Sequence, residues 1–160
     1  MSNEKCKLPD KSFRLPKAGY EEVYVPATKY TGDQKPRVKI SELPTWCHPV
    51  FSGYKELTRI QSDVFPWAFE NPGNMLVCAP TGSGKTIIAL LTILQQMREY
   101  RKPDGKFDLT KWKVVYIAPM KALVAEIVGN FKKKLESFGV QIRELTGDMQ
   151  LTKQQIQDTQ

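Results

Sequence analysis

The octapeptide APTGSGKT, Ala79 to Thr86, follows the apolar run MLVC and precedes IIALLTIL. It matches the pattern G-x-x-x-x-G-K-[ST] with Ala79 in the first position, where a small residue leaving a strand is all that is required. Gly82 and Gly84 let the backbone curl so that successive N–H groups point inward at phosphate oxygens, and a helix beginning near Gly84 adds partial positive charge at its N-terminus. Lys85 is then the catalytic cation bridging β- and γ-phosphates, and the Thr86 hydroxyl is the Mg²⁺ ligand. The reading is a nucleotide site formed by Ala79, Pro80, Thr81, Gly82, Ser83, Gly84, Lys85 and Thr86, with ATP and Mg²⁺ as cofactors. A strand-turn-helix carrying Gly and Lys by coincidence is the competing reading, and the position of the motif between an apolar run and an amphipathic one argues against it.

Working outward, three units repeat one theme: NMLVCAP then KTIIALLTILQQMREY, WKVVYIAP then KALVAEIVGNFKKKLESFG, and VQIREL then LTKQQIQDTQ. A short run rich in branched residues precedes an amphipathic stretch each time, which predicts an α/β fold with a parallel sheet flanked by helices. In the second helix Leu123, Ile127, Phe131 and Leu135 form the sheet-facing stripe, and Lys132, Lys133 and Lys134 read as a solvated face. Upstream, Leu57, Ile60, Val64 and Phe65, with Phe69 a turn later, recur at helical spacing, and Pro66 inside that pattern is expected to kink or end the helix. That helix carries Gln61, whose amide can donate and accept at the N7 and N6 edge of adenine at once. Downstream, APMKAL and LTGD are turns at the carboxyl edge of the expected sheet, where open parallel sheets bind ligands.

Composition sets the bounds. At 160 residues and 41% hydrophobic the chain suits one domain of ordinary size. Residues 1–40 hold Pro9, Pro16, Pro26 and Pro36 without a helical period and read as an extended basic arm, in which GYEEVYVPA pairs as a short strand; residues 41–160 read as the nucleotide-binding domain. The net charge of +7 suits a polyanion such as RNA without requiring one. Cys6, Cys47 and Cys78 form no C-x-x-C pair, so neither a disulfide framework nor a zinc site is indicated. Cys78 reads as a small core hydrophobe and His48 as a loop residue, neither with a chemical role. The charged N-terminus and the shortness of every apolar run lead to the expectation of a soluble intracellular chain with no membrane partner.

A phosphate loop alone does not distinguish kinases, switches, transporters and helicases. The segments RIQS, CAPTGSGKT, YIAPMKALVAE and ELTGDMQL, in that order and spacing, resemble the first RecA-like domain of superfamily 2 helicases of the Ski-like branch. The arm LPDKSFRLPKAGYEEVYVPATK, with ELPTWCHPVFSGYKELTRIQS, is similar to the entry to the first cassette of the spliceosomal members of that branch, and the resemblance covers nearly the whole chain. An alkylation-repair helicase of the same branch shares the core and is the alternative.

The resemblance implies an ATP-dependent RNA helicase that unwinds paired U4/U6 RNAs, nuclear location and spliceosomal snRNP protein partners. It implies that Gln61 contacts adenine and that Thr81 to Gly84 wrap the phosphates, with Lys85 and Thr86 serving β/γ-phosphate and Mg²⁺. It also implies that Pro119, Lys121, Ala122, Thr146 and Gly147 grip the nucleic-acid backbone without reading sequence. One departure is Thr58, where relatives often carry Asn. The Asp-Glu pair that this family places on a later strand, the arginine finger and the second RecA-like domain have no counterpart in the 160 residues. The sequence is therefore expected to be part of a larger helicase, inactive in hydrolysis by itself. A small kinase or switch would need its acidic Mg²⁺ partner within the chain; a non-catalytic nucleotide-binding piece is compatible with every motif.

Overall fold

The computed structural model describes residues 7–27 and 35–160, and the chain divides into two compact units, 1–35 and 36–160. Parts of the expected arm, at 1–6 and 28–34, lie outside the described residues.

In the first unit β1 (Phe13–Lys17) and β2 (Tyr20–Tyr24) form an antiparallel hairpin, closed at Gly19 with φ +87°. The expected strand in GYEEVYVPA is β2, and its partner carries Pro16, which a two-stranded ribbon tolerates because every strand is an edge. Phe13 stacks on Tyr24 at 4.8 Å, and Arg14 pairs with Glu21 at 2.7 Å.

The second unit opens with an antiparallel bridge, Lys39 opposite Glu56, which brackets short 3₁₀ turns at Ile40–Glu42 and Thr45–Phe51. His48 lies within the second of these turns rather than in a loop, its Nε2 2.9 Å from the Leu43 carbonyl oxygen. Next come α1 (Arg59–Phe65), a π-helical turn (Pro66–Glu70), α2 (Lys85–Glu99), α3 (Lys121–Leu135) and α4 (Lys153–Asp158). Pro66, having no N–H to continue the α ladder, ends α1 as its position predicts, and the backbone widens into one π turn closed by Asn71 N donating to Pro66 O at 3.1 Å. Arg98 of α2 locks that turn by donating to Glu70 O at 3.0 Å while its guanidinium lies over the Phe69 ring.

The core gathers around α2, whose Leu90, Leu91, Leu94 and Met97 are wholly buried. Against it pack Phe51 and Leu57, Ala68 and Phe69 from the π turn, and Ile127, Phe131 and Leu135 of α3. The α3 stripe is the one its four-residue spacing predicts. The triple lysine is not a uniform solvated face: Lys132 and Lys133 are exposed, but Lys134 turns back to donate to Val50 O at 3.1 Å and sits over the Tyr54 ring at 5.1 Å. Desolvation there, reinforced by the neighbouring Lys133, pulls the Lys134 ammonium below the ordinary lysine pKa.

The expected parallel sheet is not hydrogen-bonded in this structure: among the described residues the sheet is the β1–β2 hairpin alone, and residues 74–79, 113–118 and 140–145 run without a ladder. Their side chains nevertheless keep a two-residue alternation. Val77, Val114, Ala118, Val140 and Ile142 pack toward the helices, whereas Leu76, Val115, Ile117 and Leu145 stand 68–88% exposed. Parallel sheets are stable when both faces are covered; here helices cover one face of these segments, and an open cavity of about 370 Å³ lined by Val114, Ile127, Phe131 and Ile142 remains where 112–118 and 140–145 meet α3. For the same reason Cys78, expected as a core hydrophobe, is exposed. Lys113 ties α4 to this region by donating to Ile156 O and Gln157 O at 2.7 and 2.9 Å, capping carbonyls that the short helix leaves unpaired.

Candidate nucleotide site

The loop between residue 79 and α2 owes its shape to two glycines. Gly82 and Gly84 take φ of +79° and +87°, and a turn forms with Ser83 N donating to Pro80 O at 3.3 Å. At Gly84 the constraint is doubled, because a Cβ built there would fall 2.2 Å from Gln61 Nε2. Gly84 then serves as the N-cap of α2, whose first turn, closed by Ile87 N and Gly84 O at 3.0 Å, leaves N–H groups facing the loop. Lys85 folds back over the loop and its Nζ donates to Ala79 O and Pro80 O at 2.7 and 2.8 Å. The structure thus brings Ala79, Pro80 and Lys85 together around the turn.

Ser83 Oγ is buried here and has no hydrogen-bond partner. A buried hydroxyl needs a partner, which a water or a ligand at this turn would supply. With an ammonium whose present acceptors are only backbone carbonyls, and a helix N-terminus at the same turn, the donor set suits phosphate oxygens. Thr86, half-buried at the second position of α2, carries the hydroxyl suited to a hard cation. Among the described residues no group of three or more His, Cys, Asp or Glu is placed to hold a metal by itself.

Gln61 is only 2% exposed and is fully engaged. Its Oε1 accepts from Thr58 N at 2.8 Å, closing a capping box at the start of α1, and its Nε2 donates to Gly84 O at 3.1 Å. The glutamine is therefore a brace between α1 and the phosphate loop, and contact with an adenine requires its amide to turn from this position. In the sequence Thr58 stands out only as a departure from relatives that carry Asn. The signal for its structural task was present in Thr58-Arg59-Ile60-Gln61, which has the S/T-x-x-E/Q form of a capping box.

The residues expected on a nucleic-acid track fall on two turns. Pro119 is exposed just before α3, and Lys121 and Ala122 are exposed in its first turn. Thr146 and Gly147 begin a turn closed by Met149 N donating to Thr146 O at 3.0 Å. The two turns meet through an ion pair between Lys121 Nζ and Asp148 Oδ2.

A glycine-pinned loop with a lysine at the head of a buried helix defines a P-loop nucleotide-binding protein. The family model for DEAD/DEAH box helicases matches residues 58–160, from Thr58 of the capping box through the phosphate loop and both turns. The chain belongs to that family. It is 49% identical over its whole length to the U5 small nuclear ribonucleoprotein 200 kDa helicase of Caenorhabditis elegans, and 50% identical to the pre-mRNA-splicing factor brr2 of Schizosaccharomyces pombe. It is also 44% identical to the human U5 small nuclear ribonucleoprotein 200 kDa helicase. The chain spans 7–8% of the length of these relatives. Family membership implies a RecA-like fold of the P-loop type and the use of ATP.

Proposed function

We propose that this chain is an ATP-binding portion, at the start of the first helicase cassette, of a spliceosomal RNA helicase that separates the paired U4/U6 RNAs. The observation that carries the reading is the similarity across the whole chain, hairpin arm included, to the U5 200 kDa helicases. In that setting residues 74–79, 113–118 and 140–145 are strands of a RecA-like parallel sheet flanked by helices. Their two-residue alternation of burial supports this, as do the exposed apolar side chains that helices on the second face of such a sheet would cover. The arm, residues 1–40, precedes the ATP-binding part, residues 41–160, and the location proposed is nuclear, among snRNP proteins. Among the described residues no helix is long and apolar enough to cross a membrane.

At the site, Lys85 exchanges the carbonyls of Ala79 and Pro80 for β- and γ-phosphate oxygens, and Ser83 with the loop N–H groups from Thr81 to Gly84 supplies further donors. Thr86 holds Mg²⁺, which when bound neutralises charge developing on the phosphates. Gln61 braces Gly84 and reads adenine on turning its amide. Pro119, Lys121, Ala122, Thr146 and Gly147 hold the RNA backbone by contacts that position the strand without reading its sequence. Grafted in place of the corresponding segment of the fission-yeast splicing factor, the chain should support RNA-stimulated ATP hydrolysis and unwinding of a U4/U6 duplex. Lys85→Ala in the graft should abolish both. Undiminished hydrolysis by that variant would refute the reading.

A further inference from the structure

Lys121 is the first residue of α3, where the positive end of a helix disfavours a cation, and the Met120 N-cap offers no side-chain acceptor to the unpaired N–H groups. The local charge is balanced from 27 residues away, by the Asp148 carboxylate on the neighbouring turn. Both side chains are well exposed, 62% and 75%, so the pair is open to competition from solvent-borne anions. We infer that Asp148 is a displaceable counter-anion: it occupies the Lys121 ammonium until an RNA phosphate replaces it, and so sets the affinity and salt response of the backbone track. This inference rests on the proposed role of Lys121 as an RNA contact.

The chemistry is an exchange of one oxyanion for another on the same ammonium. A bare lysine releases condensed cations from the RNA it neutralises, whereas a lysine already paired returns a freed carboxylate to solution, and that carboxylate draws cations back. Asp148 therefore lowers both the gain from the contact and its dependence on salt. It also opposes occupation of the track by weakly held anions, because each must displace a tethered carboxylate.

The test is fluorescence anisotropy of a labelled single-stranded oligouridylate with this chain across a range of KCl concentrations. Asp148→Asn should tighten binding about 2- to 5-fold at low salt, the range an exposed pair is worth, and steepen the plot of log K against log salt by up to about 0.7. Lys121→Ala should weaken binding, and adding Asp148→Asn to it should change nothing further. Urea unfolding of each variant establishes that the fold persists; a purely structural Asp148 would change stability without steepening the salt plot. If Lys121→Ala weakens binding but Asp148→Asn does not tighten it, or tightens it equally without Lys121, the counter-anion is refuted and the RNA track stands. If Lys121→Ala leaves binding unaltered, the RNA-contact reading of Lys121 itself falls.

Discussion

At the residue scale the sharpest constraint is the contact between Gly84 and Gln61. Gly84→Ala combines a left-handed φ with a collision on a buried amide; it should destabilise the chain by about 1–3 kcal/mol and loosen the loop. Urea midpoints check this, and an unchanged midpoint would contradict the geometry. Gln61→Ala removes the acceptor for Thr58 N and the donor to Gly84 O, costing about 1–2 kcal/mol. The adenine role adds a distinct expectation: binding of ATP should fall more than that of GTP, while equal losses would leave the brace as its sole task. Burial of the Cys47 thiol pushes its pKa up to about 12 from 9.0. The folded state holds that proton more tightly than the unfolded chain does, so this contribution to stability is complete below pH 9 and is lost as pH rises toward 12. In the native protein iodoacetamide should modify exposed Cys78 and spare Cys47 until the chain is unfolded.

At the element scale α2 holds the second unit together, and Leu94→Ala in its wholly buried stripe should cost about 2–5 kcal/mol by denaturant unfolding, with a loss under 1 kcal/mol arguing against that packing. Elements whose signals are local were legible in the sequence. The four-residue apolar spacing gave α3, Pro66 gave the end of α1, and the glycine-lysine order gave the loop leading into α2. β2 was legible while β1 was not, because Pro16 weakens its strand pattern and only pairing across Gly19 rescues it. The branched runs in 74–79, 113–118 and 140–145 were also legible as strand candidates, but a ladder depends on what covers the second face, and that is not encoded within the segments. Distant pairings were invisible for the same reason: Lys134 on Val50 O, Lys121 on Asp148 and Gln61 on Gly84 join residues 84, 27 and 23 positions apart. The candidate site was thus readable as a list of residues, while the resting partners of Gln61, Lys85 and Lys121 were not.

At the scale of the whole molecule, an apolar face with Leu76, Val115, Ile117 and Leu145 open to solvent should bind a hydrophobic dye such as ANS, and substituting Val115 and Ile117 by Thr should reduce that signal. Binding and turnover should separate in this chain. The loop is proposed to hold phosphates, but the 160 residues contain no Asp-Glu pair of the kind that orients water, and an arginine finger alone is worth about 10³ to 10⁵ in rate in related enzymes. Phosphate release at saturating ATP should therefore stay at background with or without single-stranded RNA. The central claim, that residues 79–86 are a nucleotide cradle, is tested most directly by calorimetric titration of MgATP into the wild-type chain and into Lys85→Ala. The account predicts saturable binding by the wild type and its loss in the variant, with the two unfolding at similar urea concentrations. Equal binding by both, or none by a folded wild type, would contradict it.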